Sequence, residues 1–131
     1  MVKKVGLTSL AVFVLWAILD FVMHGVILQS TYATQPELWR PMEEMKMGVI
    51  YFSVLVSAIC MVYVYAQFIS PKSMNVAVKY GLVFGIGAGT VFGYGTYAFL
   101  PIPYSMALTW FLGTIVEATL AGVLMGVMVK D

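Results

Sequence analysis

Charge is scarce in this chain. Only 10% of its 131 residues are Asp, Glu, Lys or Arg, against about 25% in an ordinary soluble domain. The formal balance is +1, so there is no basic face to hold nucleic acid. Cysteine is almost absent. Cys60 stands alone, and one thiol cannot close an internal disulfide. His24 is the only imidazole, so a bis-histidine haem site would require a symmetric dimer. No serine-, glycine- or proline-rich linker divides the chain, and a single domain over residues 1–131 is expected. Neither a nucleophile motif nor a phosphate-cradling G-x-x-x-x-G-K loop occurs. The chain is not read as an enzyme, and no cofactor is expected.

What is present is apolar. Hydrophobic residues make up 62% of the chain, well above the roughly 45–50% of soluble proteins. They gather into four runs that predict transmembrane helices over about 5–28, 48–69, 77–100 and 106–129. Each reaches the ~20 residues that a bilayer demands of a helix. The expected fold is all-α: a polytopic membrane four-helix bundle. Lys3 and Lys4 before the first run, with Thr31-Tyr32-Ala33 after it, resemble a signal peptide and its cleavage site. The run from Val5 to Leu28 is long enough to span, and it is read as a retained helix.

The third run carries the clearest pattern. Six glycines fall within Gly81–Gly95, and Gly81, Gly85, Gly89 and Gly93 recur every fourth residue. Each interior glycine costs a helix in water roughly 0.5–1 kcal/mol against alanine. In lipid a bare backbone face lets a neighbouring helix come close, and dispersion then holds the pair. In the fourth run Thr114, Ala118, Gly122 and Gly126 form a matching small-residue stripe. The two stripes are expected to pack on each other.

Gln29 to Lys46 is the one extended polar segment. Thr34-Gln35-Pro36-Glu37 has capping-box spacing with proline in the first turn, so a short helical turn is expected there. Tyr32 and Trp39 suit the headgroup region. In the second run Ser53, Ser57, Cys60 and Gln67 share one narrow helical face. That face either bonds a facing helix or lines a site. Lys3, Lys4, Lys72, Lys79 and Lys130 fall at one membrane end, with Arg40 and Lys46 at the other. This bias puts both termini in the cytoplasm of a bacterial inner membrane.

Three ionisable residues lie inside the runs: Asp20 and His24 in the first, Glu117 in the fourth. Such groups are expensive in lipid and face the bundle interior, a cavity or a partner. Asp20 and His24 are four apart, within reach of each other on an ideal helix. At 1.5 Å per residue, Asp20 lies about 22 Å and Glu117 about 18 Å from the same membrane end. The trio can therefore meet if the first and fourth helices are neighbours. It could be an interhelical hydrogen-bond cluster that fixes helix order, a proton or cation site, or a site for a zinc-like metal. Three ligands on two helices have no diagnostic metal spacing. Met42, Met45 and Met47 cluster in the polar loop. Thioether sulfur suits Cu(I), though methionine is equally a flexible apolar filler.

Further groups complete a pattern: His24-Gly25, Tyr32, Trp39-Arg40-Pro41 with Glu43-Glu44-Met45, Tyr80-Gly81-Leu82, Pro101-Ile102-Pro103 and Glu117. With these the chain resembles a group of small bacterial four-helix membrane proteins of unassigned activity. Asp20 is not part of that group's pattern. The resemblance implies a fold and a membrane address only. Two roles follow from the residues. The favoured one is a non-catalytic subunit, in a homo-oligomer or larger membrane complex, that contacts lipid and other helices. The alternative is a small transporter or channel-like protein using Asp20, His24 and Glu117.

Overall fold

Backbone amides in hydrocarbon have no water to bond, so a spanning segment satisfies them internally, as a helix does. The structure, a computed structural model describing residues Met1–Asp131, has four such helices. They are Val2–Ile27, Met47–Phe68, Met74–Phe99 and Tyr104–Met128, here called the first to fourth spans. There are no strands. The expected all-α bundle of four membrane-spanning helices is what forms, with boundaries within three residues of those read from the runs. Only 26 of 131 residues are buried, so most apolar side chains face outward. Lipid, and not a protein core, is their solvent.

Local chemistry sets the breaks. Ser73 caps the third span, its side chain accepting from the Val76 amide at 3.2 Å. Pro101 and Pro103 end that span and start the next, with Pro103 in the N-cap position. The loop after the first span is more helical than expected. It holds a short helix, Gln29–Ala33, and two 3₁₀ turns, Pro36–Leu38 and Met42–Glu44. The turn at Pro36 forms, but the capping box does not. Thr34 instead donates back to the Thr31 carbonyl at 2.6 Å, because it lies at the end of the short helix and not before a new one.

The third and fourth spans make the tightest pair. A methyl group on Gly85 would lie 2.9 Å from the Ile115 Cα, and one on Gly89 would lie 2.8 Å from the Phe111 carbonyl oxygen. Gly81 meets the Ala118 carbonyl in the same way, and Gly122 meets that of Ala77 at 2.5 Å. Small residues of the two spans face each other along this interface. Gly126 adds a contact with Met74. Gly113 opens a notch on another flank of the fourth span, filled by the Met23 thioether of the first.

Two apolar clusters divide the interior by depth. Towards the termini end, Val12 and Trp16 meet Ala58, Met61, Val62 and Tyr65 of the second span, and Ala118, Ala121 and Met125 of the fourth. Towards the loop end, Met23, Leu28, Ile102, Met106, Ala107 and Trp110 form a second cluster without any residue of the second span. The second span thus packs mainly through the half nearer the termini.

Its polar face is turned the other way. Ser53, Ser57, Cys60 and Gln67 are all exposed on the outside of the bundle, so neither use foreseen for them within this chain holds. Ser53 donates to its own helix, to the Ile50 carbonyl at 2.8 Å. A hydroxyl satisfied in this way needs no partner helix. The larger Met61, Val62 and Tyr65 take the inward face instead.

Candidate functional site

Asp20 and Glu117 come together where the first and fourth spans touch. Their side chains lie near enough for each to feel the other's charge. The Trp16 indole, one turn before Asp20, donates to the Glu117 backbone carbonyl at 2.8 Å and fixes the register of the two helices. Glu117 Oε1 is buried with no hydrogen-bond partner. No lysine or arginine balances the pair, since the chain's one ion pair joins Lys72 to Asp131.

His24 takes a different partner from the one its spacing suggests. It makes no ion pair with Asp20, and its Nδ1 hydrogen-bonds the Tyr32 hydroxyl at 2.5 Å. The reason lies in the backbone. After Asp20 the first span passes into π geometry over Phe21–Ile27, where bonds run from i to i+5 and side chains four apart no longer stack. His24 is swung towards the loop while staying within the electrostatic reach of Asp20.

Tyr32 is the hub of this second group. It accepts from the Trp110 indole N–H at 3.0 Å. Its ring stacks on His24 at 5.8 Å and meets Trp39 edge-on at 5.0 Å. Trp110 packs in turn on Phe92, at 5.1 Å, within the π segment Thr90–Gly95 of the third span. The loop is tied down beside them by Gln35, whose amide donates to the Pro101 carbonyl at 2.8 Å. Burial pushes the Tyr32 phenol up to about 12, the Trp110 bond offsets part of that, and the Asp20 charge adds to it.

The three residues singled out in the sequence do not form one hydrogen-bonded cluster. Asp20 and Glu117 feel each other's charge, and His24, within reach of the Asp20 charge, bonds Tyr32. No set of three His, Cys, Asp or Glu side chains converges as metal ligands. The carboxyl pair could hold one proton or one small cation. Met42 and Met47 are 79% and 43% exposed, and Met45 lies between them after the second 3₁₀ turn. Tyr32 and Trp39 are residues expected in the headgroup layer, whereas no spacing in the sequence points to Trp16 or Trp110. Indole N–H groups within an apolar run were the available signal, since each needs an acceptor.

No family model matches the chain, and no curated protein or solved structure matches it.

Proposed function

We propose that Asp20 and Glu117 form a proton- or cation-exchanging pair in a small integral membrane protein. The observation carrying this reading is the proximity of two carboxyl groups with no lysine or arginine paired to them. Two carboxylates close together in a low dielectric cannot both stay charged, so a proton or a bound cation belongs between them. The unpartnered Glu117 Oε1 is a free acceptor for it. His24 and Tyr32 extend polar groups from the pair towards the loop end. The apolar cluster of Val12, Ala58, Met61, Val62 and Tyr65 lies on the other side. Exchange is therefore with the loop side of the membrane.

The test is flux into vesicles holding the purified protein. Wild type is expected to pass protons or a monovalent cation, and Glu117→Gln with Asp20→Asn to pass neither. Equal flux in both ends this reading.

A second reading, a subunit of a homo-oligomer or larger membrane assembly, draws on the second span. Its Ser53, Ser57, Cys60 and Gln67 face outward, and small polar residues on a lipid-exposed face are what a further helix uses. Purification under mild detergent is expected to retain a partner chain that a Ser53→Leu/Ser57→Leu variant loses. The bacterial inner-membrane address, with both termini cytoplasmic, rests on the lysine bias and on the resemblance to small four-helix bacterial membrane proteins.

A further inference from the structure

At the termini end, where the third span begins beside the end of the fourth, a cleft of about 350 Å³ opens. Its lining divides by chemistry. Lys72, Ser73 and Lys130 supply polar groups, and Met74, Val127 and Val129 supply an apolar wall, with Gly126 between. Gly126 is tight against Met74, which holds the two helix ends together as a fixed floor. The cleft sits at the boundary of two spans, so its apolar part lies at the depth of acyl chains and its lysines at that of headgroups.

One lysine of the lining already has an anionic partner within the chain. Lys72, one of the lining residues, already holds a carboxylate, that of Asp131, by its backbone amide at 3.0 Å and its Nζ at 3.3 Å. Lys72 is largely enclosed, its side chain 9% exposed, while that of Asp131 is 58% exposed. The cation is built in and its present partner is displaceable. Lys130 lines the same cleft with no carboxylate of its own. Ser73 uses its oxygen lone pair to cap the helix and keeps its hydroxyl hydrogen for a further acceptor.

We infer that this cleft binds the phosphate of an anionic glycerophospholipid, with Lys72 and Lys130 as cationic contacts and Met74, Val127 and Val129 against the first methylenes of the acyl chains. Lysines at a bilayer surface attract anionic headgroups, and here they flank a recess with an apolar side. A free phosphate would use the lysines alone.

The full chain, delipidated in detergent, is titrated with phosphatidylglycerol and separately with phosphatidylcholine, and bound lipid is counted by native mass spectrometry. Phosphatidylglycerol is expected to bind more tightly than phosphatidylcholine, by about 5-fold for each engaged lysine. Lys72→Gln with Lys130→Gln removes that preference, and Lys72→Arg keeps it. Asp131→Asn removes the resident competitor and raises phosphatidylglycerol affinity several-fold. Equal binding of the two lipids overturns the inference, as does a preference untouched by the double substitution. Displacement of phosphatidylglycerol by millimolar inorganic phosphate overturns it too, because the acyl chains would then contribute nothing. Should the double variant fail to fold, the lipid comparison and Asp131→Asn still decide.

Discussion

The Ala107 carbonyl oxygen occupies the space beside Gly93, 2.6 Å from where a methyl group on that glycine would sit. The same exclusion recurs at Gly85 and Gly89, and in each case the obstacle is backbone, which cannot rotate aside. Gly87 faces away from the interface with nothing near it. Alanine at Gly85 or Gly93 is therefore expected to lower stability by about 1–3 kcal/mol through overpacking. Alanine at Gly87 is expected to be neutral or to stabilise by up to about 1 kcal/mol through helix propensity. Unfolding by SDS in mixed micelles separates the two outcomes. Equal effects at Gly87 and Gly93 would mean that the stripe does not face the fourth span.

Tyr32 serves His24 and Trp110 through one hydroxyl. Tyr32→Phe keeps the ring and strands both partners in a half-buried site, at an expected cost of about 1–3 kcal/mol. Tyr32→Phe and Trp110→Phe should be non-additive, because each removes the same bond. A double-mutant cycle on thermal unfolding checks this. Strictly additive losses would show that the bond contributes nothing.

The same phenol should resist ionisation. Its pKa in the folded chain is raised to about 12 from 10.0, so the neutral form is the one the fold favours. The stability this confers is fully present below pH 10 and is lost as pH rises towards about 12. A difference absorbance titration of wild type against Tyr32→Phe should assign to Tyr32 a transition near pH 12. Ionisation of Tyr32 near pH 10 would place it in water.

These residues also mark how far the sequence could be read. The spans were legible because lipid demands length and apolarity together. The glycine face was legible because four-residue spacing in a helix has one geometric meaning. Depth along the helices already put Asp20 and Glu117 at similar levels in the bilayer. Three features were not legible, each for a physical reason. The π turn after Asp20 redirects His24, and no residue in Phe21–Ile27 announces a change of helical period. Tyr32 bonds Trp110 across 78 residues of chain, a distance that periodicity does not cover. The polar face of the second span points outward because serine can satisfy itself on its own helix, which makes hydroxyls poor guides to the inside.

Cys60 offers a separate check on which solvent surrounds the bundle. It is exposed in the middle of the second span, on a face that the membrane reading turns away from water. A membrane-impermeant maleimide is expected to leave Cys60 unmodified in intact bilayers and to label it once SDS unfolds the chain. Rapid labelling in the bilayer from either side would put that face against an aqueous space.

The carboxyl pair is the centre of the account, and its protonation can be observed directly. Infrared difference spectra of the reconstituted protein, recorded as pH is stepped on the loop side, report the C=O stretch of a protonated carboxylic acid. Wild type should show that band changing with the step, and Asp20→Asn with Glu117→Gln should abolish it. A wild type with no such band, or one unchanged by the double substitution, would contradict a shared proton between Asp20 and Glu117.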